Sequence, residues 1–384
     1  MSAAENNYRN ELQKWLGTDA RISFFWKGRV ALYAILKAAG VGKDDEVILP
    51  AFTCMVVPNV IIYLGAKPVY VDIDSGTFNI DETKIESKIS SKTKVILAQN
   101  TFGQSANLNA IMSIAAKHKL LVVEDCAHGF GGSYDGKPNG TIAHAAFFST
   151  QWSKPYSTGL GGIAVTRDNE LGKKISSLSE NAINPSLKER FILKALLTAH
   201  NILLNPFTYS LLVRIYRTLS RMKLVVASSE NTELEGTDLP KGFLKKMSRT
   251  QMTKGVAALR NLKKNIEHRK MVAAQYSQII SELGGTACFK SDSAEHTFLR
   301  YSILVEDKEK FMLQAEKLKL EVGDWFVSPL HPVMSSWEKW FYSEGSCPVA
   351  ENICKQIINL PTHEKINEKY ISRIQQLLAL QKIY

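Results

Sequence analysis

Short apolar runs alternate with amphipathic stretches from Phe25 to about Val165, and this alternation constrains the fold more than any other feature. Continuous apolar runs separated by helical spacing are typical of parallel strands that are covered on both faces. The sequence therefore predicts an α/β fold with a parallel sheet. The predicted strands are Glu46–Pro50, Pro68–Ile73, Val95–Ala98, Leu120–Glu124, Ala145–Ser149 and Gly162–Thr166, and the predicted helices are Val30–Ala39, Val56–Leu64, Asp81–Ile89 and Leu108–His118.

The length of 384 residues indicates two domains. The alternating pattern places a large domain over residues 1–240. A long helix is predicted from about Ser248 to Leu283, and it opens a smaller α+β domain over residues 241–384.

Residues 186–224 differ from the rest because they combine seven Lys/Arg and one acid with many Leu and Ile. We expect two helices, broken near Asn205-Pro206, since proline interrupts a helix. Two interpretations of this insert stay open. It packs as helices within a dimer, or it forms a basic amphipathic surface that contacts a membrane peripherally.

The composition limits the kinds of partner, metal site and location that we expect for this protein. The net charge of +11 suits anionic partners, but the sequence contains no nucleic-acid motif and its basic residues are spread along the chain, so we expect no nucleic-acid binding. The five cysteines lack metal-ligand spacing and are expected to be reduced thiols, with no metal site. The polar N-terminus argues against a secretory signal, so a cytoplasmic location is expected.

Polar residues follow the predicted strands at Asn100, Asp125 and Ser149, and they should converge at the carboxyl edge of the sheet. Lys154 lies between a strand end and a glycine-rich turn. A lysine in a crevice forms a Schiff base with an aldehyde when its amine loses a proton, although many such lysines are solvated loop residues. Asp125 could pair with a protonated pyridine nitrogen or could cap a helix.

Several blocks resemble, in order, the DegT/DnrJ/EryC1/StrS family of sugar aminotransferases. The resemblance implies a fold-type I pyridoxal-phosphate (PLP) transferase with a mostly parallel seven-stranded sheet. It implies transfer of an amino group, from a donor such as glutamate, to a keto-sugar, expected to be nucleotide-linked, for polysaccharide or glycoside biosynthesis. It also implies a homodimer. The blocks are residues 44–81, 100–111, 122–166, 246–276 and 347–363.

The resemblance assigns roles residue by residue. Lys154 matches the Schiff-base lysine, and Asp125 matches the partner of the pyridine nitrogen. Ser149 matches a serine that binds the cofactor phosphate. Gly28 and the backbone of Arg29 match the turn that opens a helix beneath that phosphate, where N–H groups attract an anion.

Other positions depart from the family pattern. His128 replaces the usual Gln and is expected to contact the cofactor ring or to be a packing residue. Cys54 stands where the family has an aromatic residue that stacks on the ring, so it is a candidate cofactor contact. His331 matches a histidine near the sugar site, or it is a turn residue beside Pro332. Lys246 holds the arginine position of the family's Gly-x-Asn-x-Arg motif and is a candidate substrate contact.

Two rival functions use the same scaffold. A PLP-dependent sugar dehydratase would carry histidine in place of the lysine, so Lys154 argues against it. An inactive regulatory or assembly protein would need neither Lys154 nor Asp125, and both are present.

Overall fold

A seven-stranded sheet lies at the centre of this fold. The structure is a computed structural model, and it describes residues 2–203, 233, 236–286 and 291–383. The first ten strands are β1 Arg21–Phe25, β2 Glu46–Pro50, β3 Thr53–Cys54, β4 Lys67–Val71, β5 Thr93–Gln99, β6 Leu121–Asp125, β7 Ser133–Tyr134, β8 Lys137–Pro138, β9 Ala145–Ser149 and β10 Gly162–Thr166.

The large sheet has the strand order β1-β10-β9-β6-β5-β2-β4. Strand β10 runs antiparallel to β1 and to β9. The pairs β9–β6, β6–β5, β5–β2 and β2–β4 are all parallel. The predicted mostly parallel sheet of seven strands is therefore confirmed, and polar residues at its carboxyl ends share one edge.

Six helices lie in the part of the chain that contains these ten strands. Helix α2 is the most deeply buried of them, because all of its residues except Lys37 are buried. Its run of Val, Leu, Ile and Ala leaves no polar face, as expected for a helix enclosed by the core. The six helices are α1 Ala3–Leu16, α2 Gly28–Ala38, α3 Val56–Tyr63, α4 Leu108–His118, α5 Asn169–Asn181 and α6 Leu187–Leu203.

The helix predicted over Asp81–Ile89 is wrong, because this stretch forms two short 3₁₀ turns, Glu82–Lys84 and Glu86–Lys88. The Asp81 carboxylate accepts hydrogen bonds from the N–H of Thr83 at 3.1 Å and from its hydroxyl at 2.6 Å. Such local side-chain bonds compete with α-helix formation. Strand β1 and helix α1 were not predicted.

The long helix α7, Arg249–Glu282, begins with a capping box between Ser248 and Gln251 and confirms the predicted span to within a residue at each end. Its first half packs with α1 and the large sheet, and its second half packs in the C-terminal core. The boundary between residues 240 and 241 stays a prediction. The remaining elements are β11 Ala294–Glu295, β12 Tyr301–Leu304, α8 Lys308–Lys317, β13 Leu330–His331, α9 Pro348–Gln356, β14 Ile357–Leu360 and α10 Glu368–Leu378.

The basic insert begins with the predicted helix, α6, and its expected second helix after Asn205-Pro206 lies outside the described residues. Leu193 and Leu197 of α6 are buried in a small core with Trp26 and Leu160. On the same helix, the side chains of Leu187 and Phe191 are 75% and 74% exposed. Across the described part of the chain, no helix combines the length and the apolar character that crossing a membrane requires.

Candidate active site

The hydroxyl of Ser149 and the start of helix α2 lie together at the carboxyl edge of the sheet. Ser149 ends β9 and pairs with Gly162 of β10, which in turn pairs with Phe25 at the end of β1. A Cβ atom on Gly28 would lie only 2.9 Å from the Cβ of Ser149. A hydroxyl beside a helix N-terminus favours an anion, so the two predicted phosphate contacts share one subsite.

Gly162 allows the start of α2 to approach the sheet this closely. A Cβ at Gly162 would lie 2.1 Å from the carbonyl oxygen of Lys27 and 2.8 Å from the amide nitrogen of Gly28. Side-chain atoms cannot occupy that space, so the backbone of α2 rests directly on β10. The first turn of the helix is thereby fixed over the strand ends.

Asp125 ends β6, and Lys154 follows β9 in a turn in which its N–H donates to the carbonyl of Gln151 at 3.0 Å. Burial lowers the pKa of Lys154 to about 8, and the charge of Asp125 opposes this shift. Burial also raises the pKa of Asp125 to about 6, with Lys154 acting in the opposite direction. An amine and a carboxyl that influence each other in this way share one partly dehydrated site.

An aromatic stack forms one wall of this site. The ring of His128 stacks on Phe102, with centroids 6.0 Å apart, and on Trp325, with centroids 6.2 Å apart. The Phe102 N–H donates to His128 Nδ1 at 3.3 Å. Burial lowers the pKa of His128 well below its usual value, and the positive charge of Lys154 adds to this effect, so the ring is neutral. Packing is thus one role of His128, and contact with the cofactor ring stays a prediction.

Cys54 and His331 meet through their backbones, because β3 and β13 pair in parallel with Cys54 opposite His331. Burial raises the pKa of the Cys54 thiol, and the charges of Arg29 and Lys154 counter this, which places Cys54 near the lysine. The Val327 N–H donates to His331 Nδ1 at 3.3 Å. Burial lowers the pKa of His331 to about 4, so this ring is also neutral.

Three basic residues near the phosphate subsite have distinct positions. Arg29 Nη1 lies 2.5 Å from the carboxylate of Glu233, and both side chains are buried. Lys245 Nζ lies 2.6 Å from the carboxylate of Glu189. The Arg29 and Lys245 side chains therefore each bind an acid from the 187–240 region. Lys246 forms a backbone bridge with Phe25, three residues before Gly28.

Two residues of the site were not found by the sequence analysis. Trp325 lies under Lys154, whose Nζ is 6.0 Å from the centre of the indole ring. The guanidinium carbon of Arg300 lies 5.3 Å from the same centre. Arg300 lies in the bend before β12, between the buried residues Leu299 and Tyr301, and nothing in the sequence pattern marked it as a site residue.

These residues fit PLP. The helix start with Ser149 suits a phosphate, the amine of Lys154 suits an aldehyde, and the carboxyl of Asp125 suits a protonated ring nitrogen. Gly28 and Gly162 have no side chains, so no side-chain atoms of these two residues cover the backbone where the phosphate would bind.

Solved structures of other proteins share this fold. A DegT DnrJ EryC1 StrS aminotransferase from Brucella abortus superposes with a TM-score of 0.77 at 21% identity, covering 98% of this chain and 90% of that one. Residues 3–379 match the DegT/DnrJ/EryC1/StrS aminotransferase family. The chain belongs to this family, and the predicted fold class, enzyme class and PLP cofactor are confirmed.

Two curated relatives are similar over most of their length. The chain is 29% identical over 364 residues to a pleiotropic regulatory protein of Geobacillus stearothermophilus, covering 93% of this chain and 82% of the relative. It is 28% identical over 354 residues to GDP-perosamine synthase of Caulobacter vibrioides, covering 90% of this chain and 82% of the relative.

Proposed function

We propose that this chain transfers an amino group to a keto-sugar carried on a nucleotide, in the biosynthesis of a surface polysaccharide or glycoside. The observation that carries the proposal is the juxtaposition of Lys154, Asp125 and the Gly28–Ser149 phosphate cradle at one sheet edge. The similarity to a GDP-perosamine synthase supports a nucleotide-linked sugar. The net charge of +11 suits a diphosphate.

Each residue has a defined task in this reaction. Bound PLP supplies an aldehyde that accepts an amino group and a ring that withdraws electrons from the adjacent carbon. Lys154 would hold the cofactor, and its amine would move a proton to and from the carbon that bears the amino group. Asp125 would keep the ring nitrogen protonated. Ser149 and the first turn of α2 would hold the phosphate and orient the ring.

The rival functions account for fewer of these features. A dehydratase with histidine at the lysine position is not favoured, because this position holds the amine of Lys154, whose pKa is lowered by burial and acted on by the charge of Asp125. A regulatory role matches the name of the Geobacillus stearothermophilus relative. A non-catalytic protein, however, would not require the acid and the base at this edge of the sheet.

Absorbance of the purified protein tests the proposal. Addition of PLP should produce a visible band that is absent from free PLP at the same concentration, and borohydride should trap the cofactor on the protein. L-Glutamate should then convert the band to that of the amine form, and keto-sugar nucleotides should restore it. A band that L-glutamate and other amino donors leave unchanged would refute amino transfer.

We further propose a cytoplasmic homodimer whose insert contacts the inner face of the membrane. The exposed Leu187 and Phe191 on a basic helix support this contact. The double substitution Leu187→Ser, Phe191→Ser should abolish co-sedimentation with anionic vesicles. The matched control is Leu313→Ser on α8, where the side chain is 59% exposed. Equal sedimentation of all three proteins would remove the membrane proposal, and a monomer in analytical ultracentrifugation would remove the dimer.

A further inference from the structure

The indole of Trp325 lies under the amine of Lys154, and the backbone that carries it belongs to no helix or strand. Lys154 Nζ is 6.0 Å from the centre of the indole ring, and the His128 ring stacks on the same indole with centroids 6.2 Å apart. Residues 324–326 have no regular secondary structure, so no helix or strand hydrogen bonds hold them in place. The position of the indole therefore depends on contacts from other segments.

Asn359 supplies the first of these contacts. It is fully buried on β14, and its Oδ1 accepts a hydrogen bond from the Trp325 N–H at 2.9 Å. The backbone N–H and C=O of Asn359 also exchange hydrogen bonds with those of Gly323, at 2.8 Å each. A Cβ on Gly323 would lie 3.3 Å from the Asn359 Oδ1, so a side chain there would crowd the amide. One residue of β14 thus binds the segment at positions 323 and 325.

The other end of the Asn359 amide is bound as well. Its Nδ2 donates to the hydroxyl of Ser302 at 3.0 Å, and Ser302 is the cross-strand partner of Asn359 on β12. The Trp325 N–H can only donate, so it requires the oxygen end of the amide, and the Ser302 hydroxyl accepts from the nitrogen end. The two contacts therefore agree on one orientation of the amide, with its oxygen toward Trp325.

A lysine holds the opposite side of the same peptide group. Lys308 Nζ, at the start of α8, donates to the Asp324 carbonyl at 3.1 Å and to the Cys354 carbonyl at 2.9 Å. The peptide group between Asp324 and Trp325 therefore has its C=O bound by Lys308 and its N–H bound by Asn359. A peptide group is planar, so these two bonds fix the backbone from which the Trp325 side chain projects.

We propose that Asn359 is a positioning residue of the candidate active site, because it holds the Trp325 indole against the amine of Lys154. This inference rests on the proposed function. Asn359 acts through Trp325, whose bulky ring limits the positions that the amine can adopt and excludes water from that side. A site residue keeps its geometry only when the residues behind it are themselves fixed by packing and hydrogen bonds.

Fluorine NMR of protein labelled with fluorotryptophan tests the position of the indole without any cofactor. The protein has six tryptophans, and Trp325→Phe identifies the Trp325 resonance. In Asn359→Leu, which removes both bonds of the amide, this resonance should shift and broaden. Asn359→Asp keeps an oxygen for the Trp325 N–H and should restore part of the wild-type spectrum. Lys308→Met changes a partly exposed residue and should give a smaller effect of the same kind.

Tyr276→Phe is the matched control. The Tyr276 hydroxyl is buried and donates to the Pro361 carbonyl at 3.0 Å, directly after β14. Its removal also costs a buried hydrogen bond in the C-terminal core, but this bond does not reach the Trp325 segment. The Trp325 resonance should therefore stay as in the wild type.

The reaction with L-glutamate tests the consequence for Lys154. Borohydride should trap PLP on every variant. The rate at which saturating L-glutamate converts the PLP band should fall roughly 10-fold in Asn359→Leu, less in Asn359→Asp and Lys308→Met, and not in Tyr276→Phe. Half-saturation by L-glutamate should change much less than this rate, because the affected group is the amine that moves the proton.

A Trp325 resonance in Asn359→Leu that matched the wild type would overturn the inference, and so would an equal disturbance in Tyr276→Phe. A displaced indole with an unchanged rate would also overturn it, since the position of the ring would then not matter to Lys154. If the wild type formed no borohydride-trapped adduct with PLP, the proposed function itself would fail. A trapped adduct in all proteins with equal rates would remove only the role of Asn359.

Discussion

Burial dominates the titration of the two proposed catalytic groups, Lys154 and Asp125. The pKa of Lys154 falls to about 8 and that of Asp125 rises to about 6, and each group partly offsets the shift of the other. At neutral pH the carboxyl is mostly ionised, and a usable fraction of the amine is neutral. A lysine with its usual pKa would have a far smaller neutral fraction at the same pH.

The rate at which the cofactor-free protein captures PLP should depend on the amine of Lys154. Only the neutral amine attacks an aldehyde, so the rate should rise with pH and level off above an apparent pKa of about 8. Stopped-flow absorbance measures this rate. Since the charge of Asp125 raises the pKa of Lys154, Asp125→Asn should move the midpoint to lower pH. A rate that still rises steeply above pH ~9.5, near the usual lysine value, would contradict the account.

Asp125→Asn should also slow amino transfer with less effect on the binding of PLP. Loss of the ion pair with the ring nitrogen weakens the ring as an electron sink, and we expect kcat to fall roughly 100- to 1000-fold. Steady-state assays with saturating PLP measure kcat, and Asp125→Glu should recover part of it. Equal kcat in Asp125→Asn and the wild type would exclude this role.

At the scale of elements, the proposed phosphate subsite depends on the contact between α2 and β10. Gly162→Ala places a methyl group against the Lys27 carbonyl, so the helix start must move away from Ser149. We expect a loss of about 1–3 kcal/mol in the free energy of unfolding and weaker PLP binding. Chemical denaturation and cofactor titration measure the two effects.

Gly42→Ala is the control for this substitution, because no heavy atom outside its neighbouring residues lies within 4 Å of a Cβ built there. That variant should keep both stability and PLP affinity. If Gly162→Ala bound PLP as tightly as Gly42→Ala, the proposed cradle would be wrong.

The elements of the large sheet were predictable because their apolar runs are buried on both faces, as in β2 and β10. The segment from Asp81 to Ile89 was mispredicted because its apolar spacing suits a helix, whereas the hydrogen bonds that the Asp81 side chain accepts favour a tight turn. Strand β1 was not predicted from its sequence, RISFF, although four of its five residues are buried.

Only those site residues that lie at the end of a strand, or shortly after one in the sequence, were predictable. Asp125, Ser149 and Lys154 fall at strand ends, and the structure brings their elements to one edge. Trp325 and Arg300 reach that edge through contacts between distant segments, such as that of Arg300 with the Phe102 carbonyl. Sequence spacing carries no information about contacts of this kind.

At the scale of the whole molecule, two ion pairs among the described residues connect the 187–240 region, which includes the start of the basic insert, to the rest of the chain. Glu189 of α6 pairs with Lys245, and Glu233 pairs with the buried Arg29 of α2. Removal of one partner of a buried ion pair destabilises the folded protein, because the remaining buried charge has lost its counter-charge. The region is therefore coupled to the helix that opens the phosphate subsite.

A double-mutant cycle should reveal this coupling. Glu233→Gln is expected to destabilise the protein by about 3–5 kcal/mol, since the buried Arg29 guanidinium then lacks this carboxylate. Combining it with Arg29→Met should recover part of the loss, and urea denaturation measures each step. Glu189→Gln is the more exposed comparison and should cost about 1 kcal/mol or less. Strictly additive effects of Glu233→Gln and Arg29→Met would argue against the ion pair.

The central claim is that the amine of Lys154 holds PLP covalently, and mass spectrometry after borohydride reduction tests it most directly. The account predicts that the cofactor mass is found on the peptide containing Lys154, and that Lys154→Ala carries no reduced cofactor and does not transfer amino groups. A Lys154→Ala protein that still trapped PLP on another lysine and still transaminated at the wild-type rate would contradict it.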